Sequence, residues 1–452
     1  MIPIKTVVDK ANTKITAGSL TDLEYTQLSS TDVFLDRTGP EVVANFVSLP
    51  SAANNEGIMY YVTNENVYYF SDGTYWRKDF SSSLGTVSTI MYAWGSGGSG
   101  KLGDNTVAAK SSPVTVVGGI TNWSQISNSN YHTLGLTSAG ILYAWGSNSG
   151  GRLGDNTTSS RSSPVTPVGG INTWRQIAAG GGHSFGITSD GILYAWGLGS
   201  YGRLGDNTTS SRLSPVTVVG GITNWTQVTA GDRHALGLRS TGVLYAWGYG
   251  YAGRLGNNAS ADRSSPVTVV GGITSWSQIS TGEGHNLGFT SGGIAYAWGG
   301  NGNGQLGDNT ITARSSPVTV VGGITTWSQL SGGRFHSMGL TSAGVAYAWG
   351  YNAQGRLGDN TVAAKSSPVT VVGGITNWSR LTAGRAHSFG RTSAGILYAW
   401  GENTDGQLGD GTTSSRSSPV TAVGGITSWS QLSTGQGNMS AALVSTGTKG
   451  FV

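Results

Sequence analysis

The string Tyr-Ala-Trp-Gly begins at Tyr92, Tyr143, Tyr194, Tyr245, Tyr296, Tyr347 and Tyr398, and every step is 51 residues. A period of this length means that each unit is one supersecondary element that buries its apolar face only against its neighbours. A second tryptophan keeps the same step from Trp123 to Trp429, and the two series supply 14 of the 15 Trp. Seven Ser-Pro-Val strings, with prolines from Pro113 to Pro419, run in phase with them.

Each unit reads as four short strands. His132 to Thr137 alternates, Ser138-Ala139-Gly140 is a tight turn, and Ile141 to Trp145 is the returning strand. After a Gly-rich loop over 146–163, Val165–Val168 and Trp174–Ala178 supply two more strands, joined through Gly169-Gly170. Four strands in about 50 residues predict a propeller blade. The first Tyr-Ala-Trp-Gly strand, Thr86 to Trp94, has no partner before it, and the last unit lacks that strand. The expected fold is therefore all-β: a seven-bladed β-propeller over residues 85–452, closed by the N-terminal strand, which removes both sheet edges. A small mixed α+β N-terminal domain, residues 1–84, precedes it.

The ordered series Tyr-Ala-Trp-Gly, Gly-x-Leu-Gly-Asp, Ser-Pro-Val, Trp-x-Gln and Gly-x-x-His resembles the repeat named for the regulator of chromosome condensation. The resemblance covers about four-fifths of the chain and implies a seven-bladed propeller. The sequence departs from the pattern at Asn257 (for Asp), Gly411 (for Asn) and Asn438 (for His).

Composition limits the function. The chain has 74 Gly and no Cys, so neither a disulfide framework nor thiolate chemistry is available. No apolar run reaches the roughly 20 residues of a membrane span, and no signal-peptide pattern opens the chain. Residues 1–84 carry 6 Lys and Arg against 10 Asp and Glu; the remainder carries 20 against 12, which gives the net +4 of the whole. That surplus is too thin for a specific nucleic-acid stripe.

The repeated residues read as structure. The tryptophans are expected between blades. All six His, at 132, 183, 234, 285, 336 and 387, hold one repeat position. Residues spread round a ring do not converge on one ion, so a strand-start His bonded to nearby backbone is expected and no metal site. Asp104, Asp155, Asp206, Asp308, Asp359 and Asp410 each precede a basic residue by six positions, which predicts turn bonding and a local ion pair. No catalytic residue and no cofactor is expected.

Function is sought where copies differ. The two positions before each His vary, as does the loop after Tyr-Ala-Trp-Gly, and antiparallel geometry puts both on one face. The candidate binding residues there are Tyr131, Tyr201, Asp232, Arg233, Tyr249, Tyr251, Glu283, Arg334, Phe335, Tyr351, Arg385 and Glu402. Asn301 and Asn352 lie in the same loops. The opposite face, with its Ser-x-Gly turns and Gly-Gly-Ile links, is expected to be constant and to carry the N-terminal segment.

Within that segment, 19–35 reads as a short helix and 57–69 as a hairpin around Asn64-Glu65-Asn66. The run Ser48 to Phe80 resembles small β modules of tailed-bacteriophage structural proteins. The leading expectation is a non-enzymatic virion protein, a tail fibre, receptor-binding or decoration protein. Residues 1–84 would dock onto other virion proteins, and the loops would bind a host surface protein or glycan. The alternative is a bacterial secreted or surface propeller that binds or inhibits another protein. Guanine-nucleotide exchange needs an inserted wedge, for which the six equal steps between the first and last Tyr-Ala-Trp-Gly strings leave no room. Homo-oligomerisation is left open.

Overall fold

The computed structural model describes residues 88–446, apart from 423–425, 427 and 436, together with six short strands ahead of residue 88. The chain divides into two units, 1–88 with 447–452, and 89–446.

The larger unit is a seven-bladed β-propeller, each blade a four-stranded antiparallel sheet. Blade 1 runs Trp123–Asn128, His132–Thr137, Leu142–Gly146 and Arg161–Val165. Blades 2 to 6 repeat this order from Trp174, Trp225, Trp276, Trp327 and Trp378. The Trp strand thus opens a blade, where the sequence reading had it end a unit. The fourth strand begins at the basic residue, four positions before the expected Val165. In blade 7, Trp429–Ser433 and Met439–Thr446 come from the C-terminal end, and Ser88–Gly95 and Lys110–Thr115 from the N-terminal end. Closure is two strands against two rather than one strand filling a gap.

Trp strands of adjacent blades touch round the ring and form its inner wall. Glutamine joins these strands: Gln125 Oε1 accepts from Ile177 N at 2.8 Å, and Gln431 Oε1 accepts from Ile126 N at 3.0 Å across the closure. The outermost strands carry the seven prolines, which lack an N–H and so blunt the exposed edges. The core lies between blades. Trp145, Trp196, Trp247, Trp298, Trp349 and Trp400 are fully buried and pack on the inner-strand Trp at 5.7–6.0 Å. Each such ring contributes about 2–3 kcal/mol of burial. Glycine is required where the second strand crosses that ring: a Cβ at Gly339 would lie 2.2 Å from Trp327.

The Asp–basic pairs form as expected. Arg161 meets Asp155 at 2.9 Å and Arg314 meets Asp308 at 2.9 Å, while the same carboxylates accept from Thr157 N and Thr310 N. The residue after each Asp adopts a left-handed φ, 63° at Asn105, which explains why Gly411 (φ 75°) can stand for Asn.

One reading needs correction. Asn438 falls 51 residues after His387, yet Met439 occupies the histidine position. Ala442 pairs with Leu432 as Gly135 pairs with Ile126, so the loop before Met439 holds one extra residue. Equal spacing cannot reveal an insertion within the last copy.

Of the helix expected over 19–35, only Tyr25–Thr26 is described, as a two-residue strand paired with Met59 and Ile58. The remainder of 19–35 lies outside the described residues. Ile58–Val62 and Val67–Ser71 form the expected hairpin, and Trp76–Phe80 adds a strand. Val7–Val8 pairs antiparallel with Lys14–Ile15; the rest of 1–87 lies outside the described residues, as does its expected position beside the constant face.

Candidate binding face

The loops before each second strand and after each third strand share one face. His132 pairs with Gly146, and Ser147 N donates to Tyr131 O at 2.8 Å. Every blade repeats this pairing at the turn, so the side chains presented there are set by copy-to-copy differences.

Three groups of candidates form. The largest spans blades 2 and 3. Tyr201 and Tyr249 lie 4.6 Å apart, and Tyr249 stacks on Tyr251 at 5.9 Å. Arg233 sits over both Tyr201 and Tyr249, at 5.6 and 5.9 Å, and pairs with Asp232 at 3.0 Å. The second spans blades 4 and 5: Glu283 meets Arg334 at 2.5 Å, Arg334 covers Phe335 at 4.7 Å, and Phe335 meets Tyr351 edge-on at 6.4 Å. The third is Tyr131 with Arg385 at the axial mouth. Glu402, in the loop of blade 6, supplies a charge that acts on Arg356. Tyr251 is 63% exposed and Tyr131 46%, so these rings are available for contact. Asn301 and Asn352 are not: both are buried and staple their loops, accepting from Leu306 N and Leu357 N and donating to Asp308 and Asp359.

Beneath the exposed rings lies a second layer that sequence reasoning missed. The variable residue of Gly-x-Leu-Gly-Asp is Lys101, Arg152, Arg203, Arg254, Gln305, Arg356 and Gln407 in turn. Its backbone carbonyl accepts the indole N–H of the next blade at 3.0 Å for Trp145 and Trp196. The arginines stack under the aromatic rings, Arg152 on Tyr131 at 4.8 Å, Arg254 on Tyr249 at 5.0 Å and Arg356 on Tyr351 at 4.7 Å. Burial lowers the pKa of each, that of Arg356 to about 10. Nη1 of Arg152 is buried without a partner. The signal was present, since one repeat position alternates between cation and glutamine.

Five of the six histidines, all but His183, bond side chains rather than the expected backbone. Nε2 of His132 meets Ser184 Oγ of the next blade at 2.7 Å, and His285, His336 and His387 meet Ser337, Ser388 and Ser440 at 2.9, 2.9 and 3.0 Å. Burial holds all six well below the ordinary histidine pKa. Among the described residues, no group of three or more His, Asp or Glu could hold a metal ion. No described helix is long and apolar enough to cross a membrane.

Seven radial blades, a closed inner ring and one diversified face define a repeat propeller that offers a contact surface. The chain belongs to the RCC1-like domain family: that family's profile matches residues 78–331, and the regulator of chromosome condensation (RCC1) repeat matches 343–390 and 394–442. Among relatives, the ultraviolet-B receptor UVR8 of Arabidopsis thaliana is 32% identical over 73% of this chain and 77% of its own length. The E3 ubiquitin-protein ligase HERC2 of Homo sapiens is 31% identical over 69% of this chain, which spans only 7% of that protein. Human WBSCR16 superposes with a TM-score of 0.72 at 22% identity over 79% of this chain and 99% of that one. Prp20p of Saccharomyces cerevisiae, described with its binding properties to Gsp1p and histones, gives 0.70 at 22% over 80% and 92%. These two likenesses show the fold.

Proposed function

We propose that the propeller is a non-catalytic protein-binding module that contacts its partner through the variable face, centred on Tyr201, Arg233, Tyr249 and Tyr251. The observation that carries this is the placement of exposed aromatic rings, backed by cations, on one face of an otherwise repeated scaffold. Rigid aromatic and arginine side chains lose little entropy on contact and dominate protein interfaces. A family member described with its binding to other proteins, Prp20p, supports the same reading. The relatives favour this over the narrower virion assignment, in which residues 1–84 dock onto a particle; mass spectrometry of purified virions tests that assignment. Nucleotide-release assays test the exchange reading.

The direct test is a photo-crosslinking residue placed at Tyr251 or, on the opposite face, at Ala139. A discrete protein adduct from position 251, absent from 139 and lost with Tyr249→Ala, supports the reading. Equal adducts from both faces refute it.

A further inference from the structure

The axial mouth of the variable face holds a cavity of about 470 Å³, lined among others by Lys101, Asn130, Tyr131, Ser147, Arg334 and Arg385. Its cations come from three blades, 7, 5 and 6. Only one has a carboxylate in contact, Arg334 through Glu283 at 2.5 Å. Lys101 is 8% exposed, and its ammonium donates only to Asn130 O at 3.4 Å. The Arg385 guanidinium makes no hydrogen bond or ion pair with the described residues; its electrostatic effect falls on Lys101 and Arg356. Asp405 acts on buried Lys101 without an ion-pair contact, its carboxylate being held by Asn438 Nδ2 at 2.8 Å, while half-buried Arg385 has no ion pair among the described residues. The mouth keeps a surplus of positive charge, which an anion entering beside Lys101 and Arg385 offsets.

We propose that this axial cavity receives an acidic peptide segment of the protein partner, with Lys101 and Arg385 binding its carboxylates. The inference rests on the protein-binding reading and names the partner's chemistry. Volume decides between an isolated anion and a segment. A lone oxyanion cannot span a cavity of this size, whereas two neighbouring acidic side chains can. Asn130 adds an amide at the wall. Tyr131, exposed at the rim, continues the cavity into the aromatic surface where the rest of the partner would lie.

The repeat supplies substitutions the fold already uses. Lys101→Gln copies Gln305 and Gln407 at the equivalent position, and Arg385→Asn copies Asn130. Labelled hexaglutamate is titrated into the full chain at low salt and at about 150 mM salt, where screening separates weak surface attraction from a held pair. The wild type is expected to bind, and the double variant to lose at least about tenfold in affinity with its urea midpoint unchanged. Lys365→Gln, which removes a charge on the outer rim, is expected to bind as the wild type does. No binding by the wild type, equal binding by the double variant, or displacement by inorganic phosphate at the peptide's own concentration would overturn the inference. An adduct at Tyr251 without hexaglutamate binding would sink this inference alone. Hexaglutamate binding without any adduct would count against the wider reading of the face.

Discussion

Replacing Ala235 by Ser should stabilise the propeller. In blades 1, 2, 4, 5 and 6 the residue after the histidine carries a polar group that bridges two neighbours. Ser184 Oγ meets His132 Nε2 at 2.7 Å and donates to Arg152 O at 2.8 Å. Ser337 does the same for His285 and Gln305 O, at 2.9 and 2.7 Å. Blade 3 has Ala235 there, fully buried, and both ring nitrogens of His183 lack a partner within hydrogen-bond geometry, the His234 backbone near the ring notwithstanding. A hydroxyl at 235 would serve His183 and the Arg203 carbonyl together. Two hydrogen bonds at about 0.5–1.5 kcal/mol net, less the side-chain entropy of one Ser, give a gain of about 1–2 kcal/mol. Ser337→Ala is the mirror experiment: it orphans His285 and should cost about 1–3 kcal/mol. Urea denaturation followed by tryptophan fluorescence reads both, because every blade carries buried indoles. A neutral or destabilising Ala235→Ser beside a costly Ser337→Ala would refute the reasoning, since it would show His183 already satisfied.

Acid should unfold the propeller well above the carboxylate range. Burial lowers the pKa of His234, His285 and His387 from 6.5 to about 3, so the native state binds fewer protons than the unfolded chain. The stability this confers is complete well above pH 6.5 and is lost as pH falls from there towards 3, at roughly 1 kcal/mol per histidine by pH 5.5. Six such residues together rival the total stability of a typical domain; a urea midpoint unchanged between pH 7.5 and 5 would contradict this. Gly339→Ala drives a methyl into Trp327 and should cost about 1–3 kcal/mol by the same assay. Removing residues 1–117 takes two strands from blade 7 and exposes the edge of Met439–Thr446; chromatography should show aggregation where the full chain is monodisperse.

The blade count, the closure and the common face of the varying loops were legible because each follows from a period that any pairing scheme must respect. Blade boundaries were not. A Trp strand can pair forwards or backwards in sequence without changing the period, and only the hydrogen bonds from Trp123–Asn128 to His132–Thr137 decide it. Met439 escaped because counting 51 residues assumes that the last copy has no insertion. The twelve candidate face residues vary visibly along the sequence, whereas the cations beneath them sit inside a motif otherwise repeated for its fold. Asn301 and Asn352 mislead in the opposite sense: they occupy varying loops, yet their amides hold Leu306 and Leu357 in place.

That inner ring of cations separates what the fold requires from what it tolerates. Its backbone carbonyl receives an indole in six of the seven copies and, in most blades, the bridging polar side chain of the next blade. Its side chain is free of that duty: Gln305 and Gln407 make their own local bonds, accepting from Asn303 N at 2.9 Å and Asp405 N at 2.8 Å. Five blades nevertheless carry Lys or Arg, with burial lowering the pKa of each, and a buried charge costs several kcal/mol unless paired. The fold accepts glutamine at this position in two blades and so does not require the charge. Changing Arg152, Arg203, Arg254 and Arg356 together to Gln should therefore leave the urea midpoint unchanged or raise it, while the Tyr251 adduct disappears because Tyr131, Tyr201, Tyr249 and Tyr351 lose the guanidinium planes beneath them. A marked loss of stability with the adduct intact would make the ring a structural device and remove the reason to assign it to binding.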